Sequence, residues 1–574
     1  MESKNNLHSE LSPYLQQHKD NPVHWQTWNK DILSFAKVIK KPILLSVGYS
    51  SCHWCHIMAH ESFEDVETAV LMNKYFINIK VDREERPDID YVYQSSYQLF
   101  NQSGGGWPLT VFLDENAIPF MAGTYFPKIN SHGLPSFKDV IFKVGKTYIE
   151  QREEIIKQSY NVSKNLELKK SLVLNQDLES ILLSIISSLD EVKGGYKGSP
   201  KFPIFNIYDV LLFFFNKTKK LDYLKPVELI LKQLCSQGIY DHVEGGISRY
   251  TVDENWLIPH FEKMLYDNAQ FVLLLSKYLK IKKNDYFEKK IIQTIDFINK
   301  NFNNPENGLL GSAYDADSDG EEGKYYVFSY DELNKIKDIN QYYDVKPEGN
   351  WENKIILKEI KSPPKKILCE LKKLRKKKIK PFFDNKAQLD LNCLWVSALV
   401  SAEKILPNNN YLKLAETYCK DLEIYFFNKK ILQHTTSRRE VFLEDYAYSI
   451  AMFLDLYDQT LKPNYLFKAK KLCTKTIELF YVKEKSIFQK NIFATNDLFH
   501  KPIDISDGNI PNGNSVMLLN FSRLKMKNEG AELSNSLNGY LNVYKSLMVS
   551  ALKSIDYFNT IDATKNCTDK GCFV

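Results

Sequence analysis

Tyr49-Ser50-Ser51-Cys52-His53-Trp54-Cys55-His56-Ile57-Met58 places two thiols three positions apart. The apolar run Pro42-Ile43-Leu44-Leu45-Ser46-Val47 before it reads as a buried strand, and the residues after it read as a helix. A cysteine pair at that junction is the setting of a redox dithiol. A thiolate at a helix N-terminus is stabilised by the helix dipole and by free backbone N–H groups. Cys52 is therefore the expected nucleophile, and Cys55, one turn further on, the expected resolving thiol. His53, His56 and His60 add potential positive charge beside it.

The flanking chain extends this pattern. From Val23 to Val38 the residues Trp25, Trp28, Ile32, Phe35 and Ala36 recur at helical spacing, and Lys40-Lys41-Pro42 ends that segment. After the dithiol come a helix through Ala69 and Met72, a strand Phe76–Val81, a helix from Ile89 to about Phe100, and strands at Leu109–Leu113 and near Phe120–Thr124. Strand, helix, strand, helix, strand, strand, helix is the order of a thioredoxin-like sheet. Trp107-Pro108 is expected to supply the cis-proline that such domains place opposite the dithiol. The expected catalytic set is Cys52, Cys55, Pro108, His53 and Trp54, with Trp107 at the substrate.

Three other chemistries fit the motif less well. Cys52-His53-Trp54-Cys55-His56 spells a c-type haem attachment signature, but haem attachment expects an exported apoprotein and a distant axial ligand. A zinc site could use both cysteines with His56 or His60, yet the second paired cluster of a structural site is missing. Simple packing of both thiols behind Tyr49 and Trp54 leaves their spacing unexplained. No cofactor and no metal is called for.

Bulk properties set outer limits. A chain of 574 residues, 44% hydrophobic and 26% charged, is too long for one ordinary core. The net charge of +5 is too small a bias for a nucleic-acid partner, and the basic run Lys365–Lys380 reads as an exposed connection. No apolar run approaches the ~18 residues of a membrane span. The polar start, Met1 through His18, lacks a secretory core, so a cytoplasmic location is expected. Cysteines at 52, 55, 235, 369, 393, 419, 473, 567 and 572 form an odd, dispersed set that suits free thiols in a reducing compartment, the first pair excepted.

Beyond about residue 170 nearly every periodic stretch is helical, from Leu178–Leu189 to a last segment at Leu541–Leu552. Helices in antiparallel succession form a bundle, a solenoid or a closed toroid, and no repeat of fixed period supports the solenoid. A toroid doing sugar chemistry needs two carboxylates, or a histidine and a carboxylate, on loops facing its axis. Candidates are Tyr240, Asp241, Trp256, His260, Glu262, Tyr266, Asp267, Asp315 and Asp317, with Asp253, Glu444, Asp445 and Tyr250 as further possibilities. His260 and Glu262 could equally cap the next helix, with Tyr266 in the core. Asp315-Ala316-Asp317-Ser318-Asp319-Gly320 opens like an EF-hand loop, but position twelve is Tyr326, and a polar turn is the better reading.

Several long strings together resemble the spermatogenesis-associated protein 20-like family of thioredoxin domain-containing proteins. They include Ser12-Pro13-Tyr14-Leu15-Gln16-Gln17-His18, the dithiol stretch, Lys80-Val81-Asp82-Arg83-Glu84-Glu85-Arg86-Pro87-Asp88, Gly105-Gly106-Trp107-Pro108-Leu109, and Trp256 through Asp267. The resemblance implies a thioredoxin-like domain over residues 1–170 and an (α/α)6 toroid, similar to six-hairpin glycosidases and N-acylglucosamine epimerases, over 171–574. It implies no established substrate; the expected partners are a protein or small-molecule disulfide at the dithiol and a carbohydrate ligand at the toroid, and charge and hydropathy call for neither nucleic acid nor membrane. Tyr314 stands where relatives tend to carry glutamate, and Leu391 where they carry tryptophan, which weakens a sugar reaction dependent on either.

Overall fold

The computed structural model describes residues 4–131, 133–171, 177–438, 440–492 and 495–563. Cys567 and Cys572 lie outside them. The chain divides into two compact units, one formed by residues 1–169 with 434–442 and 489–503, the other by the remainder.

The first unit is built on a five-stranded sheet in the order β1-β3-β2-β4-β5. Its strands are Trp25–Gln26 (β1), Ile43–Gly48 (β2), Ile77–Asp82 (β3), Leu109–Leu113 (β4) and Pro119–Gly123 (β5). β1 and β2 each run parallel to β3, β4 runs antiparallel to β2, and β5 antiparallel to β4. β2, β3 and β4 are buried throughout, as expected of strands covered on both faces. This is the thioredoxin-like arrangement. Trp25 corrects the sequence reading: it lies in the edge strand, and the helix begins at Lys30, where the Asn29 side chain accepts from the Ile32 N–H at 2.9 Å.

The two returning segments are tied into this unit by the charged string after β3. Arg86 donates twice to Asp88, at 2.8 Å each, and once to Asp497 at 3.0 Å. Trp28 Nε1 donates to Asp497 at 3.1 Å, and Asn491 to Asp88 at 2.9 Å. Arg438 bonds Glu85 and Glu10 at 2.6 Å each, and His434 Nε2 meets the Glu84 carbonyl at 2.9 Å. The acidic and basic residues of Asp82–Asp88 are thus largely consumed in holding the unit together.

In the second unit the helices Phe205–Thr218, Leu265–Leu279, Leu389–Glu403, Leu443–Thr460, Gly513–Leu524 and Val549–Ala563 each pack on the next, and the last packs on the first. Against them stand Leu221–Ser236, Asp285–Asn301, Tyr411–Leu422, Pro463–Phe480, Lys527–Tyr544 and Leu178–Ser188. A closed inner ring with an outer ring is an (α/α)6 toroid. The inner helices are buried nearly all round: Leu265–Leu279 and Leu389–Glu403 have almost every residue inside. The stretch Leu541–Leu552, read as one helix, straddles two, because Lys545 takes a φ of 33° between Lys527–Tyr544 and the next inner helix.

No helix among the described residues is long and apolar enough to cross a membrane.

Candidate functional site

Cys52 and Cys55 are joined as a disulfide, with Cα atoms 5.2 Å apart. Cys52 caps the His53–Met58 helix, and its Sγ accepts the Cys55 backbone N–H at 3.3 Å. β2 delivers Cys52 to that position through Tyr49-Ser50-Ser51, so the sulfur sits where helix N–H groups point. In the reduced protein these same donors would face a thiolate.

The side chains around the pair come from three further places. The Trp107–Pro108 peptide bond is cis. The Trp107 indole packs edge-on to Tyr49 at 5.9 Å and donates from Nε1 to Asp90 at 2.8 Å. Arg83 lies over the Trp107 ring at 3.9 Å and the Tyr49 ring at 5.4 Å, with Asp90 3.5 Å from its Nε. Burial raises the Asp90 carboxyl despite the Arg83 charge. On the other side Trp54, 45% exposed, leans on Tyr125 at 5.0 Å, whose hydroxyl donates to Glu61 at 2.6 Å. His53 packs edge-on to Trp54 at 5.9 Å. The exposed His60 pairs with Glu64 at 3.0 Å. Arg83 and Tyr125 are additions to the residues read from sequence.

An amine is buried against rings of the core that holds the dithiol. Lys80, 1% exposed on β3, points its Nζ at Phe63 (4.3 Å), Trp25 (5.0 Å) and Tyr14 (5.1 Å) and donates to Ser46 Oγ at 3.0 Å. Burial lowers its affinity for a proton strongly. The one lysine in the apolar run Phe76–Val81 was its sequence signal. Tyr14, fully buried, brings its hydroxyl against Gly48 and Cys55: both Tyr14 Oη and Cys55 Sγ lie within 2.8 Å of where a Cβ on Gly48 would stand. Among the described residues that hydroxyl has no hydrogen-bond partner.

The second unit gathers another polar cluster. His260 lies between two carboxylates, with Nε2 3.2 Å from Glu262 and Nδ1 2.6 Å from Glu322. Burial opposes its charge, but Glu262 and Glu322 raise it to about 9. Tyr250 lies tilted against His260 at 4.8 Å and stacks on Phe202 at 4.6 Å, and Arg249 pairs with Glu262 at 3.4 Å. Asp267, 6% exposed at the start of Leu265–Leu279, is pushed well up by burial, which outweighs the opposing pull of Arg249, and its Oδ2 has no hydrogen-bond partner among the described residues. A carboxyl that burial disposes to keep its proton, next to Arg249 and to the Glu262 that pairs with His260, belongs to a group suited to proton transfer. The N-cap of the Leu265–Leu279 helix is Met264, which makes no side-chain cap bond. Tyr266 is buried in its first turn.

Other expected residues are otherwise engaged. Asp241 accepts from Lys263 at 2.7 Å and from Arg375 at 2.6 Å. Burial opposes its charge, yet these two cations hold its carboxyl well below the usual range. Arg375 belongs to the run read as an exposed connection, but it is 3% exposed at the end of the Lys365–Arg375 helix. Tyr240 is core, its hydroxyl 3.2 Å from Thr294. Trp256 is fully buried and donates to the Lys193 carbonyl at 2.8 Å, so it offers no stacking face. Asp315 accepts the Asp317 N–H at 3.1 Å, and Asp317-Ser318 pairs with Glu321-Glu322 in a small hairpin, the polar turn expected there. Tyr314 stacks on Phe383 at 4.9 Å and donates to the Asn301 carbonyl at 2.9 Å, while Leu391 is buried in an inner helix.

The fold and the disulfide define a protein with a thioredoxin-like domain bearing a Cys-X-X-Cys pair, joined to an (α/α)6 toroid. The family Thioredox_DsbH, described as a protein of unknown function (DUF255), matches residues 4–167. The chain is 30% identical to protein B0495.5 of Caenorhabditis elegans over 91% of its own length and 80% of the other's. It is likewise 30% identical to spermatogenesis-associated protein 20 of Rattus norvegicus, over 91% of this chain and 75% of that one. It belongs to the spermatogenesis-associated protein 20 family. Solved structures similar to it include cellobiose 2-epimerase from Bacillus thermoamylovorans, at 13% identity and a TM-score of 0.42 over 64% of this chain and 86% of that one. A D-mannose isomerase aligns at 13% identity and a TM-score of 0.40, over 64% of this chain and 87% of that one. The toroid assignment rests on the ring closure itself.

Proposed function

We propose that the protein is a thiol-disulfide oxidoreductase. The observation that carries this reading is the Cys52–Cys55 disulfide at a helix N-terminus, with the Cys55 N–H directed at Cys52 Sγ. In the reducing direction the Cys52 thiolate attacks one sulfur of a substrate disulfide, forms a mixed disulfide and releases the other sulfur as a thiolate. Cys55, deprotonated, then attacks Cys52 Sγ and expels the second substrate thiolate. Two electrons pass from the dithiol to the substrate, and a cellular dithiol must restore the reduced pair. The helix N-terminus favours the attacking thiolate electrostatically, while Trp54, Trp107 and Tyr125 offer apolar contact to a protein or small-molecule disulfide. The buried free thiols Cys235, Cys393, Cys419 and Cys473 suit a reducing, cytoplasmic setting.

The test is exchange with glutathione disulfide and with a disulfide-bonded protein. Cys52→Ser should abolish both, and Cys55→Ser should trap a mixed disulfide on Cys52. Unchanged exchange in Cys52→Ser would refute the assignment.

The His260–Glu322–Asp267 cluster favours a second reading, in which the toroid binds or converts a carbohydrate and the dithiol domain is regulatory or structural. It predicts thermal stabilisation by a sugar that survives Cys52→Ser and is lost in Asp267→Asn. A blank across a broad sugar panel would remove it.

A further inference from the structure

The six inner helices enclose a cavity of about 480 Å³, a volume that suits a small-molecule ligand. Its lining excludes His260, Glu262 and Asp267, so it is separate from the cluster described above. Apolar residues such as Leu273, Leu394 and Leu519 form part of the wall.

Its charges do not balance. Asp209 is shared by Lys277 and Lys553, the latter at 3.0 Å. Arg523 lies between Asp455 and Asp458, at 2.9 and 2.8 Å. These groups cancel one another. Lys280 and Lys404 also line the cavity; Asp455 acts on Lys280 and Asp458 on Lys404 through space, but among the described residues neither lysine makes a direct ion pair or side-chain hydrogen bond. Both are exposed, so they stand where the cavity meets solvent.

Each lysine is the C-cap of an inner helix, Leu265–Leu279 and Leu389–Glu403 respectively. A cation there is favoured by the helix dipole without any ligand. The dipole does not account for their convergence. Although its side chain reaches solvent, desolvation at the cavity mouth and the like charges of Lys404, Lys277 and Lys553 outweigh the opposing pull of Asp455 and depress Lys280 to about 8, so the neighbouring lysines work against the very charge the dipole favours. A second observation is independent of the lysines. Asn206, 4% exposed in the first turn of Phe205–Thr218, lines the same cavity, and its buried amide oxygen has no partner among the described residues. A buried amide without a partner is costly.

We propose that this cavity binds a small phosphate-bearing molecule, its phosphate held by Lys280 and Lys404 and a hydroxyl of its body donating to Asn206. Two unpaired ammonium groups match a dianion, lysine serves phosphate as a point charge, and a hydroxyl satisfies the amide oxygen. The apolar wall accepts the carbon skeleton.

The experiment measures thermal unfolding of the full chain at matched ionic strength, titrated with inorganic phosphate, glucose 6-phosphate, glucose and gluconate. The expected result is a saturable rise in Tm with glucose 6-phosphate, a weaker one with phosphate, and little with glucose or gluconate. Lys280→Gln/Lys404→Gln should weaken glucose 6-phosphate at least tenfold while leaving the unliganded Tm in place, since both side chains are exposed. Asn206→Leu should weaken the ester but leave inorganic phosphate unchanged. No saturable shift with either phosphate, equal stabilisation of the lysine variant, or gluconate binding as tightly as the ester would each overturn the proposal.

Discussion

Replacing Gly48 by alanine tests the packing that holds the dithiol in place. A Cβ there meets the Tyr14 hydroxyl, the Tyr14 Cζ at 2.7 Å and Cys55 Sγ at 2.8 Å. The backbone has little freedom to retreat, because Gly48 pairs with Asp82 in the sheet and its carbonyl accepts the Arg83 N–H at 2.9 Å. Overpacking of this kind costs about 1–3 kcal/mol, against roughly 0.4–1 kcal/mol gained from a stiffer unfolded chain, so Gly48→Ala should destabilise the first unit by about 1–2 kcal/mol. The penalty should be larger in the oxidised protein, where the disulfide fixes the Cys55 sulfur, than in the reduced one, where it can turn away. A difference of about 1 kcal/mol corresponds to a potential about 20 mV more oxidising. Tyr14→Phe alone should be neutral or slightly stabilising, since its buried hydroxyl has no partner among the described residues. In the Gly48→Ala background it should recover at least ~0.5 kcal/mol, a coupling that non-contacting residues do not show. Hydrogen exchange of peptides covering Ile43–Gly48, in oxidised and reduced protein, reads the first unit separately. Equal effects in both redox states, or strict additivity of the two substitutions, would mean that Gly48, Tyr14 and Cys55 do not press on one another as described.

Arg86→Ala leaves Asp88 and Asp497 without their shared cation and should cost the first unit about 3–5 kcal/mol in denaturant unfolding; a loss below about 1 kcal/mol would contradict the stapling role. His260, raised to about 9, contributes stability that is complete below its unfolded value near pH 6.5 and disappears as pH climbs through 9, roughly 3 kcal/mol in all. His260→Gln should flatten that part of the stability profile, and an unchanged slope would count against the Glu262–Glu322 cradle. Asp267, whose proton is held by burial, should tolerate Asp267→Asn with stability at pH 7 unchanged or higher by up to about 1–2 kcal/mol; a large loss would mean that the carboxyl is ionised in the fold.

The first unit was legible where local pattern and tertiary role coincide. Cys52 and Cys55 stand out because their spacing needs a helix start, and the runs Ile43–Val47 and Ile77–Val81 are apolar because both faces of their strands are covered. Trp25 misled because Trp25, Trp28 and Ile32 keep helical intervals even though the chain turns at Asn29. The break at Lys545 carries no glycine or proline, so two helices ran together on paper. Pairings across long separations left no local mark: Arg375 reaches Asp241 across 134 positions, and the string Glu84–Asp88 waits for partners near 434–438 and 491–497. His260 and Asp267 were visible as residue types, but their protonation depends on Glu322 and on burial, which only the folded chain supplies.

Cys52 and Cys55 should form a working redox couple. The direct measurement equilibrates the full-length protein across glutathione buffers of graded potential and counts free thiols by alkylation and mass. The expected result is one reversible two-electron transition, tenfold per ~30 mV, that involves this pair and vanishes in Cys52→Ser. Cysteines that stay reduced in every buffer, or a disulfide that opens only on denaturation, would contradict it.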